Sequence, residues 1–420
     1  MFYLWVALLT TLSPSAVKAD QCPICLADFH GRSEAPVVVK TQCCRQRFDL
    51  DCISRCFFNQ PIGSRRCAMC RQDPVPVVNQ NTSESHPDTF FPDRTFYDAC
   101  CDGDLDQVER SLAEGVNVNA AMNDGFTAFM LASSKGHMDI VERLINAGAD
   151  VNVARNEDGT TPLFIAALTG NTGCLKILIK AGANPNTPAT ADGTTPLYIA
   201  ARKGNTDCVA ILIEAEADLN ARNRNGATPL FIAVQENNID CVKLLINAGA
   251  DLNAARTMDG ATPLSMAVQL GNTDCVKALI KDGTDLNARC KKNGATALFM
   301  AIQENNTDCI QLLINAGADL NAALPNGVTP LFAAAAIGNT ECVKALIEAE
   351  ANLNATRTLD GATPLLIAAE LGNTECVKLL VNAGANLNIC RTSDGATPLS
   401  AAAQKGNTDC MELLVNAGAE

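Results

Sequence analysis

Eight cysteines lie between positions 22 and 70: Cys22, Cys25, Cys43, Cys44, Cys52, Cys56, Cys67 and Cys70. The first two and the last two form C-x-x-C pairs, in the stretches CPIC and CAMC. Two thiolates at that spacing suit one tetrahedral zinc, at about 2.3 Å per sulfur. Two pairs in so short a segment, with further donors between them, imply two zinc ions. The segment buries too little apolar surface to fold without such a clamp. An even set of cysteines can also form disulfides, but the C-x-x-C spacing favours metal. His30 lies between the first pair and Cys43 and reads as a surface residue.

Residues 44–53 read CRQRFDLDCI. They overlay the C-x-H-x-F-H-x-x-C-I pattern of the RING finger, and residues 22–71 as a whole resemble that ubiquitin-ligase domain. The resemblance implies two interleaved sites. Cys22, Cys25, Asp49 and Cys52 would hold one zinc; Cys44, the Gln46 position, Cys67 and Cys70 would hold the other. Both family histidines are replaced. Asp49 is an acceptable substitute, because carboxylate oxygen ligates zinc at about 2.0–2.2 Å. Gln46 is neutral and a poor one, which leaves Cys43 or Cys56 as the thiolate for the open place. Adjacent Cys43 and Cys44 on one metal would strain the loop, so the choice stays open.

A RING does no covalent chemistry. It holds a ubiquitin-charged conjugating enzyme in a reactive pose, which is catalysis by orientation. By the resemblance, Ile24 grips the conjugating enzyme. Arg71, whose forked donors suit two partners at once, bridges that enzyme and ubiquitin. The family's Trp place holds Cys56, with Phe57 beside it, and its Pro place holds Ala68; Phe57 or Met69 could compensate in part. The plainer readings are core packing for Ile24 and a solvated cation for Arg71.

The rest of the chain must position this module and its target. Residues 1–93 carry nine Lys/Arg and nine Asp/Glu, so the net charge of −14 lies entirely in residues 94–420 (23 basic, 37 acidic). An acidic body repels phosphate backbones and makes nucleic acid an unfavourable partner. Residues 1–19 open on an apolar run too short for a membrane span. They resemble a secretory signal, although no Lys or Arg precedes the run; a loosely docked leader is the alternative. Residues 20–72 form the zinc module. Residues 73–93, rich in Pro, Asn and Ser, read as a linker.

Residues 124–420 repeat every 33 or 34 positions, with Asp-Gly or Asn-Gly at 124, 158, 192, 225, 259, 293, 326, 360 and 394. One unit reads NGATPLFIAVQENNIDCVKLLINAGADLNA. The Asp/Asn-Gly pair favours a tight turn. The Thr of TPL caps a helix and the Pro fits its first turn. GNTD breaks that helix and opens a second with an acid near its positive end. The second helix ends at a Gly suited to the αL conformation. This resembles the ankyrin repeat, with nine clear units and a degenerate opening one at residues 96–120. The His of the family's TPLH is replaced by Phe164, Tyr198, Phe231, Ser265, Phe299, Phe332, Leu366 and Ser400, which exchanges a polar bond for apolar packing.

Eight further cysteines recur once per period: Cys174, Cys208, Cys241, Cys275, Cys309, Cys342, Cys376 and Cys410. They stand where the family has Val or Ile and read as small buried side chains. Neighbouring repeats would hold them roughly 10 Å apart, beyond disulfide reach. No catalytic constellation occurs in the repeats. Such a stack is a binding surface, and Arg222, Arg224, Thr257, Lys291, Lys292, Leu324 and Thr358 vary along its turn tips.

The expected fold is mainly α: a repeat solenoid of helix-turn-helix units with β-hairpin tips over residues 94–420, preceded by the zinc module. The expected function is ubiquitin ligation. The module would orient a charged conjugating enzyme, and the repeats would bind a protein substrate in the eukaryotic cytosol. The alternative is a non-catalytic scaffold with a structural zinc module.

Overall fold

A computed structural model describes residues 92–420, apart from 123, 190 and 191, and four short strands before them. The strands are β1 (Val38–Lys40), β2 (Arg47–Asp49), β3 (Val77–Asn79) and β4 (Ser85–His86). They form one antiparallel sheet in the order β2-β1-β3-β4. Val39 faces Phe48 on one side and Asn79 on the other.

The chain divides into two compact units, residues 1–191 and 192–420. The first holds the sheet and three helix pairs: Arg94–Asp102 with Leu105–Ala113, Ala128–Lys135 with Met138–Asn146, and Pro162–Thr169 with Thr172–Lys180. The second holds seven pairs. Its first helices are Pro196–Lys203, Pro229–Gln235, Pro263–Leu270, Ala297–Gln303, Pro330–Ile337, Pro364–Leu371 and Pro398–Lys405. Its second helices are Thr206–Glu214, Ile239–Asn247, Thr273–Lys281, Thr307–Asn315, Thr340–Glu348, Thr374–Asn382 and Thr408–Asn416.

Each pair is punctuated by its own sequence. Thr262 accepts a hydrogen bond from the Ser265 backbone N–H at 3.2 Å, and Pro263 occupies the first turn, where no N–H is needed. The helix ends at Gly271, at φ 71°, a left-handed conformation cheap for glycine. At two places the same turn is made by Asn237 and Asn305, at φ 57° and 55°. Asparagine is among the side chains that tolerate this region.

Among the described residues, every helix pair contributes buried side chains to the core. In the repeat at 229–247, Leu230, Phe231, Ala233, Val234, Cys241, Val242 and Leu245 have no exposed surface. Each large aliphatic side chain so buried contributes about 1.5–3 kcal/mol. Within each unit, consecutive first helices pack against one another, and so do consecutive second helices.

Within each unit, asparagines tie repeats to their neighbours. Asn373 Nδ2 donates to the Ala335 and Ala336 carbonyls at 2.8 and 3.2 Å, and Asn407 does the same to Ala369 and Glu370. These carbonyls lie in the last turn of the preceding first helix, where the helix leaves acceptors short of partners. A second row sits before the tips. Asn220 accepts from the Asp251 N–H, Asn253 from Asp285 and Asn287 from Asp319, at 2.8–2.9 Å.

The expected β-hairpin tips are turns instead, and no strand occurs at them among the described residues. Arg256 N–H bonds to the Ala261 carbonyl and Gly260 N–H to the Arg256 carbonyl. Those two bonds close the turn and leave too few residues for a ladder. The only β-type pairing described there is an isolated bridge between Ala121 and Thr127. The tips pair sideways with one another instead: Lys291 N–H bonds to the Asp259 carbonyl, and Thr358 N–H to the Asn326 carbonyl.

Candidate functional site

Cys22, Ile24, Cys25, Cys43, Cys44, Cys52, Cys56, Phe57, Cys67, Cys70 and Arg71 lie outside the described residues. Asp49 closes strand β2, opposite Val38. Among the described residues there is no cluster of three or more His, Cys, Asp or Glu side chains that could hold a metal. No helix among them is long and apolar enough to cross a membrane.

The periodic cysteines are free and buried. Burial pushes the thiols of Cys174, Cys208 and Cys275 up to about 11, and that of Cys342 up to about 12 with Cys376 nearby. The nucleophilic form of cysteine is the thiolate, so these side chains are chemically quiet at neutral pH. They pack as the small buried residues that their periodicity implies. His137 bonds through Nε2 to the Cys101 carbonyl at 2.9 Å. That contact joins two helix pairs.

The turn tips are arranged by charge and by rings. Arg256 grips Asp259 through Nε at 3.0 Å and lies 5.1 Å from the centre of the Phe231 ring. Arg357 grips Asp360 through Nε at 2.9 Å and lies 5.1 Å from Phe332. The hydrogen bonds from these guanidiniums hold both carboxyls below the usual aspartate range. Replacing the family histidine thus gives more than apolar packing: the rings support a cation. Ser265 and Ser400 instead complete capping boxes with Thr262 and Thr397.

Several varied tip residues are structural. Arg222 donates to the Gly226 and Ala255 carbonyls at 3.2 and 2.7 Å, and Thr257 donates through Oγ1 to the Asn225 carbonyl at 2.8 Å. Arg224 and Lys292 are exposed, whereas Leu324 is half-buried. The sequence reading passed over the exposed aliphatic residues of the second unit. Met258 and Leu359, at matching tip places, are 75% and 76% exposed. Leu270, Ile337 and Leu371, at matching ends of first helices, are 49%, 51% and 54% exposed. Their signal was available: the same helix-end position holds Lys203, Glu236, Glu304 and Lys405 in the other repeats.

No curated protein matches the chain. Among solved structures, the human ASB11 ankyrin repeat domain is similar at 26% identity and a TM-score of 0.48, over 53% of this chain and 98% of that one. The family model for ankyrin repeats (3 copies) matches residues 96–189, 185–256, 252–323 and 331–420. With Thr-Pro caps, left-handed helix ends and sideways-bonded tips in the matched region, the chain belongs to the ankyrin-repeat family.

Proposed function

We propose that this chain is a ubiquitin ligase in which the ankyrin repeats take a protein substrate and the N-terminal module orients a ubiquitin-charged conjugating enzyme. The observation that carries the reading is the pairing of CPIC and CAMC-Arg71 with a repeat array on one chain. The antiparallel sheet supports it. Lys40 in β1 pairs with Arg47 in β2 and with Val78 in β3, so the strands on either side of residues 50–76 are joined through β1. A zinc module needs such closure.

Cys22, Cys25, Asp49 and Cys52 supply one set of donors; Cys44, Cys67 and Cys70 supply most of another, with Cys43 or Cys56 as the fourth. Thiolates with one carboxylate suit zinc, which would act structurally. Ile24 and Phe57 would form the apolar contact with the conjugating enzyme. Arg71 would bridge it to ubiquitin and restrain the thioester for attack by a substrate lysine. Residues 73–93, in which β3 and β4 pair onto β1, would connect the module to the repeats and raise the local concentration of captured substrate.

Two departures favour a second reading, a non-catalytic scaffold: neutral Gln46 at a ligand place and Cys56 at the Trp place. One experiment separates the two. Ubiquitin discharge from a panel of charged conjugating enzymes is measured with wild type and with Arg71→Ala, alongside the zinc content of each. Faster discharge by wild type alone supports the ligase. No acceleration by a zinc-loaded, folded protein leaves the scaffold.

A further inference from the structure

Within residues 192–420, the end of each first helix adds one exposed residue to a column that crosses the repeats: Lys203, Glu236, Leu270, Glu304, Ile337, Leu371 and Lys405. Consecutive first helices pack directly on one another. Neighbouring members of the column therefore stand about 10 Å apart, the usual spacing of packed helices. Four residues earlier, on the same face of each helix, lie Met266, Met300, Ala333 and Ile367. Met300 and Ile367 are partly exposed, so the face between the charged members is apolar.

Half-exposed aliphatics thus recur at one structural place in three repeats, Leu270, Ile337 and Leu371. The matching helix-end place in residues 1–191 holds Asp102, Lys135 and Thr169 instead. The charges flanking the aliphatics define what fits. Glu236 and Glu304 stand on either side of Leu270, and Lys405 follows Leu371. The second unit as a whole carries 25 acidic and 16 basic side chains. Two copies of so acidic a unit repel, and nucleic acid does too. A cationic segment is attracted.

We propose that the part of this column from Glu236 to Lys405 seats an extended, net-cationic segment of a partner protein, read one anchor per repeat. A chain in the extended polyproline-II conformation advances about 3.1 Å per residue and turns once in three residues, so about three residues span one repeat and every third side chain faces the same way. The segment then presents basic, aliphatic, basic, aliphatic, aliphatic and acidic side chains at about every third position. They meet Glu236, Leu270, Glu304, Ile337, Leu371 and Lys405 in turn. The aliphatic anchors supply affinity; the charges set register and exclude segments of the opposite pattern. This deepens the reading of the repeats as the substrate-binding part and does not depend on the zinc module.

The test uses the full chain and a labelled synthetic peptide with those six anchors at every third position and Ser or Gln between them, made in both chain directions. Binding is followed by fluorescence anisotropy. One of the two directions binds, and a peptide with the same composition but shuffled anchors binds at least about ten-fold more weakly, a difference of about 1.4 kcal/mol. Leu371→Asp weakens binding by a similar factor. Glu304→Lys weakens it too, and a peptide with Glu in place of the Lys facing that position restores it. All sites are exposed, so melting temperatures stay close to wild type. Equal binding of the shuffled peptide, no binding in either direction, or indifference to both variants overturns the proposal. So does a doubled mass by light scattering that Leu371→Asp reverts, which makes a second copy the occupant. Discharge of ubiquitin by the same preparation tells the failures apart: discharge without peptide binding sinks only the column, and peptide binding without discharge sinks only the ligase.

Discussion

The guanidinium of Arg357 lies 5.1 Å from the centre of the Phe332 ring, 25 positions earlier in the chain, while the same guanidinium grips Asp360. The pair recurs as Phe231 and Arg256. Where the ring is Tyr198, position 223 is Asn, and its Nδ2 donates to the phenol oxygen at 3.2 Å. Where the ring is lost at Leu366, Arg391 turns to Glu370 at 2.8 Å and keeps Asp394. In these four repeats the residue that replaces the family histidine and the residue 25 places on are thus matched to each other, whereas Phe164 and Phe299 are followed at that spacing by Ala189 and Leu324. A ring face attracts a cation, a phenol takes an amide, and without a π face the cation needs a second carboxylate.

That matching makes Phe332 and Arg357 energetically coupled. In a cycle of Phe332→Leu, Arg357→Ala and the double variant, urea unfolding should give a coupling of about 0.5–1 kcal/mol. Strict additivity would remove the stacking from the account.

The clasp also predicts a pH dependence. The hydrogen bond from Arg357 lowers the Asp360 pKa below its unfolded value of about 3.9. Its contribution is therefore complete above about pH 4 and fades as pH falls through the lower folded value. Arg357→Ala has less to lose, so its unfolding midpoint should drop less than that of wild type between pH 7 and pH 3. Parallel drops would mean that other carboxylates dominate the acid response.

Glu216 and Glu350 stand in the left-handed region at φ 57° and 65°. The same turn in other repeats holds glycines such as Gly249 at φ 89° and Gly317 at φ 85°. The space beside those glycines is open, so backbone strain and not crowding distinguishes the two glutamates. Glu350→Gly should raise stability by about 0.5–1 kcal/mol, the αL strain less the added unfolded-state freedom. A loss of stability would place a favourable contact on the Glu350 side chain.

Asn373 satisfies two carbonyls that end the preceding helix. Asn373→Ala leaves them to water in a half-buried place and should destabilise the protein by about 1–2 kcal/mol. The same change at Asn352, an exposed residue that bonds the N–H of Asn354 in its own loop, should have a smaller effect. Calorimetric scans of the two variants make the comparison.

Thiol labelling separates the cysteines of the repeats. Cys390 is exposed and should react with a maleimide in the native protein. Cys208, Cys275 and Cys342, buried and with raised pKa values, should react only after unfolding. Peptide mass mapping reads each site, and native labelling of Cys342 would show that its repeat opens.

The sequence by itself determined the repeats. Thr-Pro starts, glycine stops and Asp/Asn-Gly turns act within a few residues of one another, so each helix and each tip is specified locally. The periodic cysteines were legible as core for the same reason, since periodicity alone places them on one helix face. Tertiary structure decided what those elements share. The reach of Asn373 back to Ala335, the sideways bond from Lys291 to Asp259 and the stacking of Arg357 on Phe332 each join residues more than twenty positions apart. The tips close locally as turns, and their remaining backbone groups bond to the neighbouring repeat. Leu270, Ile337 and Leu371 looked in sequence like ordinary apolar helix residues. Packing of the first helices on one another left those three outside the core and turned helix-end residues from separate repeats into one exposed column.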